Sequence, residues 1–157
     1  MKILLLGTPK SGKTRLGNKL AKEHNIKFLD KLPEKYIQKT GLALGRISDY
    51  RVDIMFSCHT MELENKHKEE GYIIACGPLY TYCHFVCKTK LLENEEKIES
   101  FFWPAALLSR IIEDSLWYDE IHYLKYKGDD EYFQFFDESI YQAIGDLKIR
   151  DRIKTVE

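Results

Sequence analysis

Eight consecutive residues near the start of the chain, GTPKSGKT from Gly7 to Thr14, have the types and spacing needed to hold phosphate groups. They follow a short apolar run, Ile3 to Leu6, and precede a segment of helical character, Arg15 to His24. At such a strand-to-helix junction, successive backbone N–H groups and a helix N-terminus converge on one anion. The motif therefore predicts a binding site for a nucleoside triphosphate.

Individual positions of this loop have separate chemical tasks. Gly7 and Gly12 allow backbone angles and a close approach that side chains would block, and the backbone between them forms an anion-binding concavity. Lys13 supplies a mobile positive charge for the terminal phosphates, and Thr14 offers a hydroxyl to Mg²⁺. The predicted nucleotide-binding set is Gly7, Thr8, Pro9, Lys10, Ser11, Gly12, Lys13, Thr14 and Arg15.

Length and composition are typical of one compact domain. The chain has 157 residues, of which 44% are apolar and 31% charged, and this size suits a single hydrophobic core. We therefore expect one domain over residues 1–157. The net charge is -1 with both signs interspersed, so the molecule has no overall field that would attract nucleic acid or anionic lipid.

The apolar stretches of the sequence are short. None approaches the ~18 apolar residues of a membrane span, and the run before the phosphate loop is too short for the core of a secretory signal. We therefore expect a cytoplasmic protein without membrane contact. Its four cysteines, at positions 58, 76, 83 and 87, are then expected to be thiols.

Cys83, His84 and Cys87 form a second group that could do chemistry, because the two cysteines lie one helical turn apart. A structural zinc site needs four ligands, and the sequence has no partner pair with ordinary ligand spacing. We favour the alternative interpretation, in which these side chains pack on a helix.

Strand-like runs and helical periodicities alternate after the phosphate loop. Further strands are predicted at 25–30, 72–76, 119–126 and 152–156. Apolar residues at helical spacing predict the intervening helices: Val52, Met55, Phe56, His59 and Leu63; Leu79, Cys83, Val86 and Cys87; Leu107, Leu108, Ile111 and Ile112; and Phe133, Phe136, Ile140 and Ile144. This alternation predicts a three-layer α/β fold with a five-stranded, mainly parallel sheet and ligand binding at the carboxyl ends of its strands.

The layout resembles the P-loop nucleoside and nucleotide kinases, including the small kinase-like ATPase domains related to nicotinamide riboside kinase. The resemblance covers the whole chain and is carried by the phosphate loop after the first strand, an acid at the end of the second strand, and the length. It implies ATP- and Mg²⁺-dependent phosphoryl transfer to a small hydroxylated acceptor. Lys13 would hold the phosphates and Thr14 the metal ion.

Asp30 and Glu34 are the candidate acceptor residues. In the families that the chain resembles, an acid at the end of the second strand often contacts the acceptor, and Asp30 holds that place, with Glu34 as the alternative. Either carboxylate could take a proton from an attacking hydroxyl or hold a water on the metal ion. A plainer interpretation is that Asp30 only begins a turn before Pro33. Arg46 is a third candidate near the presumed acceptor region.

Two features depart from the families that the chain resembles. The third strand ends with Cys76, where relatives commonly have an acid near the metal ion, and a thiol cannot replace a carboxylate for Mg²⁺. The segment after the fourth strand, Lys127 to Tyr132, is acidic and lacks arginine, whereas many relatives have phosphate-clamping arginines there. Other cations that could serve are Arg15, Arg46, Arg51, Arg110, Lys125 and Lys127.

Three functions follow from these observations. We favour a kinase for a nucleoside, a nucleotide or a similar small molecule. The main alternative is a nucleotide-binding regulatory protein, or a degenerate kinase with weak or no transfer activity. An ATPase acting within an assembly is disfavoured because no arginine finger is identifiable. An oligonucleotide acceptor is disfavoured because the aromatic segment 132–141 lacks the basic residues of a stacking platform. The acceptor, the choice of ATP or another NTP, and the oligomeric state are left open.

Overall fold

The computed structural model describes residues 1–42, 50–91 and 117–156 of the chain. In chain order its elements are β1 (Lys2–Leu6), α1 (Lys13–His24), β2 (Lys27–Leu29), α2 (Leu32–Thr40), α3 (Tyr50–His67), β3 (Tyr72–Ala75), α4 (Pro78–Leu91), β4 (Glu120–Leu124), α5 (Glu131–Asp146), a 3₁₀ turn (Arg150–Arg152) and β5 (Ile153–Val156). Arg46 and the helix predicted around Leu107 to Ile112 lie outside these ranges.

The five strands form one sheet in the order β2-β3-β1-β4-β5, and every pairing is parallel. Leu4 of the central strand lies opposite Ile74 on β3 and Ile121 on β4. Since all strands run the same way, their carboxyl ends meet at one edge of the sheet, where an α/β fold binds its ligands. The predicted α/β fold with a five-stranded parallel sheet is confirmed.

The sheet is buried because helices cover it. Ile3, Leu4, Leu5 and Leu6 have no exposed surface, as expected for a parallel strand with both faces covered. Helix α1 packs on β1, β2 and β3, while α3, α4 and α5 pack side by side. Gly17 permits the close approach of α1 to β2, because a Cβ atom at this position would lie 2.4 Å from the Phe28 ring.

Helix α3 buries more than the predicted apolar stripe. Phe56 of that stripe is fully buried, and Val52 and Leu63 pack against the core, but Met55 is 49% exposed. The other buried positions are polar and recur at helical spacing: Asp53, Ser57, Thr60 and Glu64. The prediction was therefore wrong for Met55 and missed the polar positions, because apolar periodicity does not detect buried polar side chains.

Glu64 shows how this polar face is accommodated. Its Oε2 atom accepts hydrogen bonds from the Tyr72 hydroxyl at 2.7 Å and from the Tyr118 hydroxyl at 2.5 Å. A buried carboxylate is costly unless it is hydrogen-bonded. These two tyrosines, one from the next strand and one from a distant part of the chain, make the burial of Glu64 possible.

The remaining elements differ from the sequence predictions mainly at their ends. Strand β4 is shorter than the predicted 119–126 segment, and the 3₁₀ turn occupies Arg152, which was predicted to begin β5. Asp130 caps α5, since its side chain accepts a hydrogen bond from the Phe133 N–H at 3.1 Å. In the part of the chain that the structure describes, no helix is long and apolar enough to cross a membrane.

Candidate active site

The loop Gly7–Thr14 connects the carboxyl end of the central strand to the N-terminus of α1. A Cβ atom on Gly7 would lie 2.5 Å from Ser11 Oγ and 2.9 Å from the Leu124 carbonyl oxygen. Gly12 adopts a φ of 97°, in the left-handed region that favours glycine. The Ser11 N–H donates to the Thr8 carbonyl at 3.3 Å, which tightens the loop. Both glycines are therefore required by the loop geometry.

Lys13 directs its ammonium group back across this loop. Its Nζ atom donates to the Gly7 carbonyl oxygen at 2.5 Å, lies 3.8 Å from Cys76 Sγ, and lies 4.7 Å from the centre of the Tyr80 ring. The side chain is half-buried. Its charge is therefore held at the floor of the cleft by contacts that a phosphate oxygen could replace.

A cleft of about 1040 Å³ opens beside the loop, over the carboxyl ends of β2 and β3. The phosphate loop, Asp30, Glu34 and Cys76 line it, together with aromatic residues of α4 and α5. A smaller hollow of about 370 Å³ lies over the ends of β4 and β5, where Ser11 meets the segment 124–128. The loop thus lies between two hollows, as a phosphate chain joining two binding regions would require.

Asp30 and Glu34 both reach the large cleft. Asp30 follows β2 directly and is half-buried, and Glu34 is exposed in the first turn of α2. The Oδ1 atom of Asp30 accepts a hydrogen bond from the Lys31 N–H at 2.8 Å, so this residue also supports the turn that the plainer interpretation expected. The structure brings both candidate carboxylates to the same cleft as Lys13.

Cys76 ends β3 with its thiol against the Lys13 ammonium group. Burial raises the pKa of this thiol, so it is a neutral group where a carboxylate was expected. Its φ of 69° is positive, as are those of Lys10 and Lys31, which also line the cleft. Backbone strain of this kind is often concentrated at functional sites.

Aromatic side chains of α4 and α5 build one wall of the cleft. Tyr80 and His84 of α4 stack in parallel with ring centres 6.4 Å apart. Phe136 of α5 meets both rings edge-on, at 5.7 Å and 5.5 Å, and stacks on Tyr132. Burial raises the pKa of the Tyr80 phenol well above its ordinary value, so the wall is uncharged at Tyr80.

Tyr80 and His84 line the cleft, although no sequence motif predicted a role for either residue there. One signal was present: Tyr80, His84 and Lys88 recur every four residues on α4, in a helix whose other buried positions include apolar residues and cysteines. Cys83 and Cys87 are fully buried in the core. Within residues 1–42, 50–91 and 117–156, no group of three His, Cys, Asp or Glu side chains is placed to hold a metal ion.

Solved structures share this architecture. A deoxyadenosine kinase from M. mycoides with bound dATP matches with a TM-score of 0.75 at 14% sequence identity, over 100% of this chain and 91% of that chain. A NadR protein in complex with NR matches with a TM-score of 0.76 at 15% identity, over 98% and 43% of the two chains. A thymidylate kinase from Candida albicans matches with a TM-score of 0.59 at 15% identity, over 98% of this chain and 81% of that chain. The chain has the P-loop nucleoside and nucleotide kinase fold. No protein-family model and no curated protein sequence matches it.

The P-loop kinase fold implies Mg²⁺, and the residues present fit this ion. Thr14 stands with an exposed side chain in the first turn of α1, and the carboxylates of Asp30 and Glu34 line the same cleft. Hydroxyl and carboxylate oxygens suit Mg²⁺, which keeps several of its own waters. Cys76 does not fit as a ligand, because a protonated thiol is a poor partner for a hard cation.

Proposed function

We propose that this protein transfers a phosphoryl group from ATP, or another nucleoside triphosphate, to a nucleoside, a nucleotide or a similar small hydroxylated acceptor. One observation carries the proposal: Lys13 and Thr14 of the phosphate loop and two carboxylates, Asp30 and Glu34, line a single cleft. The fold shared with a deoxyadenosine kinase and a thymidylate kinase supports the same reaction class.

In this proposal the loop amides and Lys13 bind the donor phosphates, and Thr14 holds Mg²⁺. Bound Mg²⁺ would neutralise charge on the phosphates during transfer. The acceptor oxygen bonds to the terminal phosphorus as the bond from that phosphorus to the bridging oxygen breaks, which releases a nucleoside diphosphate. Asp30 or Glu34 accepts the hydrogen bond of the attacking hydroxyl and then its proton. Most of the rate gain comes from positioning and charge stabilisation.

The second candidate function is a nucleotide-binding regulator, or a degenerate kinase with weak or no transfer. The thiol of Cys76 against Lys13 favours it, because this position lacks the acid that would assist the metal ion. The segment after β4 is acidic and lacks arginine, and the side chains that it brings to the cleft, Tyr132 and Phe133, are aromatic. Donor binding would then be retained while transfer is slow.

Incubation with labelled ATP, Mg²⁺ and a panel of nucleosides and nucleotides separates the two functions. Transfer to any acceptor supports the kinase, and ATP binding without transfer supports the regulator. Asp30→Asn and Glu34→Gln are compared as a matched pair, because each removes one carboxylate charge from the same cleft. Substitution of the residue that positions the hydroxyl should lower the rate of transfer far more than it lowers the affinity for ATP. Equal losses of transfer and ATP affinity would contradict that role.

A further inference from the structure

A buried charged cluster joins α3 to α4 directly behind the cleft wall. Asp53 of α3 is fully buried, and its Oδ2 atom lies 2.5 Å from Lys88 Nζ, which is 5% exposed. Its Oδ1 atom lies 3.5 Å from Nδ1 of His84, a ring that lines the cleft. The functions considered above do not use this cluster. A buried ion pair is weak evidence for stability, because apolar side chains of similar volume often replace it without loss.

The Asp53 carboxylate favours one tautomer of His84. Its Oδ1 atom lies 3.5 Å from Nδ1, a contact that is electrostatic and not a formed hydrogen bond. Because a carboxylate carries negative charge and only accepts hydrogen bonds, it favours the neutral imidazole with its proton on Nδ1. The other nitrogen, Nε2, on the far edge of the ring, is then a hydrogen-bond acceptor. Parallel stacking on Tyr80 and the edge contact with Phe136 fix the plane of the ring.

His84 also lies close enough to the phosphate loop for one acceptor molecule to reach both. Lys13 Nζ is 4.7 Å from the Tyr80 ring centre, and Tyr80 is 6.4 Å from the His84 ring centre. The distance from Lys13 Nζ to the centre of the His84 ring therefore cannot exceed the sum of these two distances. An acceptor whose hydroxyl meets the donor phosphate at Lys13 could place a flat ring beside the aromatic wall and reach His84.

We propose that His84 selects the acceptor, with Nε2 accepting a hydrogen bond from an amino group on a heteroaromatic base, and that Asp53 and Lys88 are its positioning residues. This inference rests on the proposed function, since it assigns the acceptor region of the same cleft. It specifies the acceptor class as an amino-bearing base. An otherwise identical base without the amino group leaves Nε2 unpaired.

Two pairs of ribosides test this selection: adenosine against purine riboside, and cytidine against the riboside lacking its 4-amino group. Their affinities are measured by calorimetry with a non-hydrolysable ATP analogue present, and transfer from ATP is assayed in parallel. We expect at least one amino-bearing member to bind about tenfold more tightly than its partner, the usual loss for one hydrogen bond. His84→Phe should bring that ratio close to one and leave affinity for the ATP analogue unchanged.

His122→Phe is the matched control. His122 pairs with Glu120 on β4, does not line the cleft, and should keep the wild-type ratio. The double variant Asp53→Asn, Lys88→Met tests positioning without leaving an unpaired buried charge. It should lower the ratio and shift the ¹⁵N resonances of His84 away from the Nδ1-protonated tautomer. Thermal unfolding checks each variant, and His84→Phe alone decides the inference where the double variant does not fold.

The outcomes separate the inference from the proposed function. If amino-bearing ribosides bind selectively through His84 but no acceptor is phosphorylated, the proposed kinase function is refuted. The proposal that His84 recognises the base is then still supported. Transfer with an amino preference that survives His84→Phe would refute the inference alone. The inference is also overturned when no riboside of either pair binds, or when the wild-type protein does not distinguish the members of either pair.

Discussion

Replacing Lys13 by methionine is the sharpest test of the phosphate loop, because it removes the ammonium group and keeps an unbranched apolar stem. Lys13 Nζ already donates to the Gly7 carbonyl at 2.5 Å and lies over the Tyr80 ring. A bound phosphate must displace that hydrogen bond. The loss of affinity in Lys13→Met is therefore smaller than the full attraction between lysine and phosphate.

The magnitude follows from these contacts. Two unit charges 4 Å apart attract by about 4 kcal/mol at an effective dielectric constant of roughly 20. The displaced hydrogen bond, which involves a charged donor, offsets about 1.5–3 kcal/mol of this. The net loss is then about 1–2.5 kcal/mol, which corresponds to roughly 5- to 70-fold weaker ATP binding. Gly7 is buried, and its carbonyl loses a donor in this variant, so the free energy of unfolding should fall by about 1–3 kcal/mol.

Titration with a fluorescent ATP analogue measures this loss, and urea unfolding measures stability. Lys19→Met is the matched control, because it removes the same charge from the same helix at an exposed ion pair with Glu23. This control should bind the analogue as the wild type does. A folded Lys13→Met protein that binds within about twofold of the wild type would refute the assignment. An equal loss in Lys19→Met would show that net charge, and not local contact, sets the affinity.

Three further predictions concern the framework around the cleft. Gly17→Ala should lower the free energy of unfolding by about 1–3 kcal/mol, because its Cβ would meet the Phe28 ring at 2.4 Å; an unchanged urea midpoint would contradict this packing. Asp130→Ala should cost about 0.5–2 kcal/mol through loss of the α5 cap, and a thermal scan without a shift would show that the cap is dispensable. Iodoacetamide at neutral pH should label exposed Cys58 first. Because burial raises the pKa of Cys76, its thiol should react only after unfolding; mass spectrometry showing early labelling of Cys76 would contradict that expectation.

Short-range patterns predicted much of the fold and part of the candidate site. The phosphate loop is recognisable because its glycines, Lys13 and Thr14 act through local backbone geometry at one strand-to-helix junction. The apolar runs of β1 and β3 indicated buried parallel strands, since both faces of such strands are covered. The resemblance to the P-loop kinases suggested Asp30 as a candidate, and Asp30 lines the cleft, where the parallel strands end at a common edge.

These patterns did not predict the ends of the elements or the full buried face of α3. Met55 continues an apolar stripe and is nonetheless half-exposed. Glu64 is buried because Tyr72 on the next strand and Tyr118, far along the chain, donate to its carboxylate. A sequence pattern records the polarity of each side chain but not the partner that offsets the cost of burying it.

By itself, the sequence determined that a loop with the phosphate-binding pattern joins a buried strand to a helix, since that pattern consists of residues adjacent in the chain. Tertiary structure decided what surrounds the loop. It set the Cys76 thiol against Lys13 and joined His84 to Asp53 across two helices. Such contacts arise from the packing of elements far apart in sequence, and they produce the aromatic and charged character of the cleft wall.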